Sequence, residues 1–299
     1  MPAGRRGVER DDLAPAPVER SERRSRSAST AQVRALVLGG YGLNCDAETA
    51  HVCRLAGADA QRVHINELID GKQRLESFHI LALIGGFAWA DDHGAGVVLA
   101  TKLRRHLGEA LLRFIAAGRY VIGICNGFQA LVNLGILPGF EVGRFRREVA
   151  LTYNDCGNFR DQWVQLRVER TPCVFDPRAR QIELPVRHAE GKFVAPPDVL
   201  TRLREQRQIV MRYARPTGEA AGGEFPWNPN GAQDDIAGIC DPTGRIFGLM
   251  PHPEAYNHET NHPDWTRLRW QEDRQSAQEP PGVTLFRQAV SSAQERLLE

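Results

Sequence analysis

Short aliphatic runs alternate with segments of helical period through the first half of the chain, and that rhythm restricts the possible folds more than any other feature. Val33 to Leu38 is a strand-like run that ends in Gly39-Gly40, Asp46 to Ala56 has helical spacing closed by Gly57, and Gln61 to Ile65 reads as a second strand. The pattern then repeats. Phe78 to Ile84 runs into Gly85-Gly86, Val97 to Ala117 is helical and closed by Gly118, and Tyr120 to Ile124 is an apolar strand that stops at Cys125. Strands separated by helices pair in parallel through crossovers, so the expectation is an α/β domain with a central, mostly parallel sheet flanked by helices. After Phe140 strands dominate: Trp163 to Val168, Gln181 to Val186, Gln208 to Ala214, Ile236 to Cys240 and Ile246 to Met250, with a closing helix from Val283 to Leu298. No solenoid-type repeat interrupts this order.

Residues 1–30 differ from the rest. They hold seven arginines and five acids but no aromatic residue and no apolar run. Such a segment cannot offset its ordering entropy, so a disordered tail over 1–30 and one domain over 31–299 are expected. It lacks the apolar stretch of a secretory signal, and its acids are unlike an organellar transit peptide. The 299 residues are 42% apolar and 25% charged, which suits one large buried core. A formal charge of +1 argues against a chain built to wrap nucleic acid or coat an acidic membrane. The longest apolar stretch, Ile80 to Ala90, is far short of a membrane span. Six cysteines without a C-x-x-C pair fit neither a zinc ribbon nor a secreted disulfide scaffold, and point to a reducing cytoplasm.

The strongest chemical signal is Gly123-Ile124-Cys125-Asn126-Gly127. Glycines two residues either side of Cys125 permit a tight strand-to-helix turn that lifts the central side chain above the sheet, as in a nucleophile elbow. The helix that follows points its N-terminal amides at the sulfur, favouring thiolate, and the Asn126 amide would face an oxyanion formed by its attack. A base is offered by Met250-Pro251-His252-Pro253-Glu254. Residues two apart in an extended segment project together, so Glu254 can orient His252 while the other ring nitrogen serves the sulfur. Gly85-Gly86-Phe87 ends another buried strand, and the amides of Gly86 and Phe87 are candidates for the second oxyanion donor.

The residues also admit two other readings. His252, His258 and His262 with Glu254 and Glu259 resemble a metal cluster, and the spacing of His258 and His262 would align on a helix. Pro251, Pro253 and Pro263 oppose a continuous helix there. There is no G-x4-G-K-[ST] loop, and Gly39-Gly40-Tyr41-Gly42 lacks the spacing of a dinucleotide fingerprint, so neither ATP nor a nicotinamide is expected on this chain.

With cysteine, His-x-Glu and Gly-Gly in this arrangement, the chain resembles a class I, triad-type glutamine amidotransferase, a flavodoxin-like fold. More narrowly it resembles the glutaminase subunits of phosphoribosylformylglycinamidine synthase. The narrower likeness is carried by Asn44-Cys45-Asp46, Gly85-Gly86-Phe87 with Asp91-Asp92, and Asn228-Pro229-Asn230-Gly231, while Leu184 to Gly191 also matches, with Ala189 where the family usually has Gly. Trp89-Ala90 stands where this family usually has Tyr-Gly. The resemblance implies that Cys125, His252 and Glu254 hydrolyse glutamine through a thioester, with Gly86, Phe87 and Asn126 as the oxyanion hole and Gln129 and His188 at the substrate. It further implies no metal or cofactor on this chain. Ammonia would pass to a large synthetase subunit that binds ATP and magnesium and converts formylglycinamide ribonucleotide to its amidine, with a small bridging subunit as a possible third component. A cysteine hydrolase of the same fold in another pathway, and a catalytically silent binding module, are the competing classes.

Overall fold

The computed structural model describes residues 31–141, 143–271 and 279–298; the tail expected over 1–30 lies outside them. β1 (Arg34–Gly39), β2 (Asp59–His64), β3 (Ile80–Leu83) and β4 (Tyr120–Ile124) are joined by α1 (Asp46–Leu55), by α2 (Ile65–Ile69), and by α3 (Val97–Ala116). α4 (Asn126–Leu134) follows β4 directly. Then come β5 (Ala150–Tyr153), β6 (Arg160–Val168), β7 (Gln181–His188), β8 (Glu190–Val194), α5 (Pro197–Glu205), β9 (Ile209–Ala214), β10 (Ile236–Cys240), β11 (Ile246–Leu249), α6 (Trp265–Gln271) and α7 (Pro281–Leu297).

Nine strands form one sheet in the order β2-β1-β3-β4-β11-β10-β9-β6-β7. The first five are parallel, and the pairings from β11 to β7 are antiparallel. The expected α/β architecture is therefore present, with its parallel half holding the strand-helix alternation. β3, β4, β10 and β11 are buried at every residue, because helices cover both faces of the sheet centre. α1 packs with α7 and α3 with α4, giving two flanking helix pairs. The core includes Phe78, Phe114, Phe128, Phe247 and Phe286, all buried. No helix among the described residues is long and apolar enough to cross a membrane.

Two short strands escaped the sequence reading: β5 and β8 pair as a separate two-stranded sheet. α5 was also missed, since it buries only Val199 and Leu203 and its apolar signal is weak. β4 and β11 lie side by side and parallel, with Gly123 opposite Gly248 and Ile124 opposite Leu249. Their carboxyl ends thereby bring Cys125 and His252 to one edge of the sheet, where open α/β sheets bind ligands.

Candidate active site

Cys125 occupies the elbow. Its backbone has φ 49° and ψ −106°, a strained conformation for a residue with a side chain. The surroundings hold it there: the Cys125 amide donates to the Leu249 carbonyl at 2.8 Å, and the Cys125 carbonyl accepts from the Gln129 amide at 3.0 Å. The turn is possible only because Gly127 can lie against β3, since a Cβ on it would stand 1.9 Å from the Leu83 carbonyl oxygen. The thiol is 5% exposed and reaches toward the Arg187 carbonyl at 3.6 Å. The Asn126 amide is the first of α4 and so has no partner within its helix. Its side chain is turned away, donating to Asp91 Oδ1 at 2.8 Å. Burial pushes the Asp91 carboxyl above its ordinary range.

His252 enters one strand away. Its amide donates to the Pro185 carbonyl at 2.8 Å, which fixes the loop after β11 against β7. Its ring Nδ1 sits 2.6 Å from Glu254 Oε1, and both side chains are almost wholly buried. Burial opposes charge on this ring, but the Glu254 carboxylate and the Cys125 sulfur outweigh it and hold the imidazole well above its usual pKa. Glu254 thus does what the His-x-Glu spacing suggested, although the segment Pro253–Ala255 is a 3₁₀ turn rather than extended chain.

A second thiol shares the site. Cys45, at the start of α1, is buried, and its Sγ, a His252 nitrogen and a Glu254 oxygen all lie within 4.8 Å of one another. Burial pushes the Cys45 thiol up, while its hydrogen bond to His252 pulls the other way. These atoms have the types of a metal-ligand set, and Glu254 Oε1 on the ring Nδ1 is equally the arrangement of a base held by its orienting carboxylate. Sequence reading passed over Cys45 as a site residue. No local pattern marks it: Cys45 reaches the site because β1 and β3 are neighbours, so the loops after both meet at one edge.

These contacts set the elbow cysteine, a histidine and its carboxylate beside one another at one edge of the sheet. The chain matches the CobB/CobQ-like glutamine amidotransferase domain over residues 32–291. It is 43% identical over 234 residues to phosphoribosylformylglycinamidine synthase subunit PurQ of Methanococcus maripaludis, covering 78% of this chain and 85% of that protein. The chain belongs to the CobB/CobQ-like glutamine amidotransferase family. The subunit of the same designation from Dehalococcoides mccartyi is 42% identical over 88% of this amidotransferase and 99% of its own length. A chain in the structure of PurLQS from Thermotoga maritima superposes with a TM-score of 0.64 and 26% identity over 88% of the amidotransferase and 99% of that chain.

The other expected site residues of the amidotransferase sort differently. Gly86 lies at φ 141°, and its amide has no hydrogen-bond partner among the described residues, so it is free to donate to a substrate oxyanion. Phe87 is a correction: its amide is spent on the Gly42 carbonyl at 2.8 Å, because the loop after β1 folds over the Gly-Gly turn. Gln129 is buried and donates its side-chain amide to the Glu190 carbonyl, tying α4 to β8. His188 is buried behind the site, with Nδ1 3.1 Å from Asn154 Oδ1, and burial drives its pKa down to about 3. It is a neutral ring there. Asn228 and Asn230 are structural: Asn228 Oδ1 accepts the Gly231 and Ala232 amides, while Asn230 Nδ2 donates to the Gly191 carbonyl and the Tyr213 hydroxyl.

The metal reading of the histidines does not survive the geometry. His258 is exposed and bonds to Thr260, whereas His262 lies 3.2 Å from Glu183 and packs against Trp163. Neither joins His252.

Proposed function

We propose that this chain is the glutaminase subunit of a phosphoribosylformylglycinamidine synthase, releasing ammonia from glutamine for a synthetase partner. The observation that carries it is the buried Cys125, His252 and Glu254 set in a chain 43% identical to a subunit of that designation. In this reading Cys125 attacks the side-chain amide carbon of glutamine, and the oxyanion accepts from the Gly86 and Asn126 amides. The charged His252 gives its proton to the departing ammonia, leaving a γ-glutamyl thioester on Cys125. Neutral His252 then takes a proton from water, which attacks the thioester and frees glutamate, with Glu254 holding the ring throughout.

The likeness to a PurLQS chain supports assembly with a large synthetase subunit, and we assign the ATP and magnesium steps to that partner, with a small bridging subunit completing the complex. Exposed aromatics at the site edge agree with a docked partner: Phe87 and Phe159 are each 46% exposed with ring centroids 6.2 Å apart. The test is ammonia release from glutamine by the purified chain and by Cys125→Ala, alone and with the purine synthetase, formylglycinamide ribonucleotide, ATP and magnesium. Stimulation by that synthetase, lost in the variant, is the expected result. Release indifferent to it would assign the glutaminase to another pathway.

A further inference from the structure

A groove of about 840 Å³ lies beside the C-terminal end of β6 and the N-terminal end of β9, and the catalytic reading makes no use of it. β9 runs parallel to β4 through two antiparallel steps, so its N-terminal end is at the sheet edge opposite the one that carries Cys125. Six arginines and three carboxylates line it, an excess of three positive charges.

The carboxylates are already committed. Glu169 Oε1 accepts from Arg167 at 2.8 Å and lies 3.3 Å from Arg212 Nε. Asp234 Oδ2 takes Arg204 at 2.8 Å and Arg212 at 3.0 Å. Asp235 accepts the Gly222 and Gly223 amides at 2.7 and 2.8 Å and the Asn228 side-chain amide at 2.9 Å. Arg212, 15% exposed at the side chain, is thus fixed as a rigid floor between two acids. Arg170, Arg180 and Arg207 are left over: they line the same groove, and none has a side-chain partner among the described residues.

We propose that this groove binds a small anion bearing a phosphate chain. Guanidinium forks match phosphate oxygens in pairs, and three unspent forks around one concavity can meet successive phosphates. The volume falls in the range of small-molecule pockets, which favours a compact ligand over a flat protein contact. The site stands independently of the glutaminase.

The probe is inorganic pyrophosphate, titrated calorimetrically into the full chain at fixed physiological ionic strength. Saturable binding at one site per chain is expected. Arg170→Gln, Arg180→Gln and Arg207→Gln should each weaken it roughly tenfold, the loss of one charge-assisted contact, while Arg105→Gln on α3 leaves it unchanged. A parallel titration with a nucleoside triphosphate separates sources: equal affinity supports a bare polyphosphate ligand and tighter binding a nucleotide. Absence of saturable binding, or equal weakening by Arg105→Gln, would overturn the site. So would failure of pyrophosphate to bind combined with loss of synthetase assembly in the triple variant, which would make the groove a protein contact.

Discussion

Gly127→Ala sets two predictable effects against each other. Gly127 lies inside α4, where alanine is favoured over glycine by about 1 kcal/mol, so propensity alone forecasts a more stable protein. The added Cβ would stand 1.9 Å from the Leu83 carbonyl oxygen and 2.9 Å from the Leu83 Cβ. Ordinary contact needs more than 3 Å, so α4 must move off β3 by about 1 Å or more. It has nowhere to go. On its other side a Cβ at Gly96 would already touch the Ala130 amide nitrogen at 2.7 Å, and Phe128 fills the space that a Cβ at Gly248 would enter at 2.1 Å. Overpacking costs roughly 1–3 kcal/mol, and a backbone contact as short as 1.9 Å belongs at the upper end, so after the propensity gain the net expectation is a destabilisation of about 1–2 kcal/mol. The same shift carries the Cys125 sulfur and the Asn126 amide away from the substrate, and a misplacement near 1 Å costs about 10²-fold in rate. Urea unfolding and glutaminase kcat/KM on the same preparation are the assays. A variant that is more stable and fully active would refute the close-packing account of the elbow.

Three further expectations follow from single residues. Burial opposes and the Glu254 carboxylate supports the charged His252, so Glu254→Gln should lower kcat by about 10²- to 10⁴-fold and move the His252 limb of the pH–rate profile to lower pH; an unshifted profile counts against the pairing. Burial holds His188 at a pKa of about 3, so the unfolded chain binds the extra proton as pH falls below about 6.5. Stability from this group is complete above that value and lost on acidification, by roughly 2 kcal/mol at pH 5. His252, raised instead, changes nothing below 6.5, so a flatter urea-midpoint profile is expected for His188→Gln, and an identical slope would contradict the assignment. Ala90 has φ 57°, in the left-handed region, so Ala90→Gly should stabilise the fold by about 0.5 kcal/mol, read as a higher urea midpoint, the relieved strain exceeding the added chain entropy; a drop would deny the strain.

What the sequence revealed follows burial on both faces. Tyr120–Ile124 and Ile236–Cys240 read directly as strands because every side chain is apolar and every one is buried. Ala150–Tyr153 and Glu190–Val194 did not, since their two-stranded sheet leaves Thr152, Glu190 and Lys192 only partly covered and blurs the alternation. Cys125 and His252 were legible because glycine spacing and a His-x-Glu pair are local patterns. The roles of Phe87 and Cys45 were not, because each depends on a loop arriving from a distant strand: Gly42 takes the Phe87 amide, and α1 delivers the Cys45 thiol to His252. Gln129 and His188 carry the family pattern, and Gln129 Nε2 bonds the Glu190 carbonyl while His188 Nδ1 bonds Asn154, contacts that no spacing rule announces.

Two thiols lie beside one histidine, so the account turns on which of them is the nucleophile. Turnover with glutamine, quenched in acid and followed by mass spectrometry of the Cys45 and Cys125 peptides, decides it most directly. A γ-glutamyl adduct confined to the Cys125 peptide, and lost in Cys125→Ala, is the predicted result. An adduct on Cys45, or ammonia release that persists in Cys125→Ala, would contradict it.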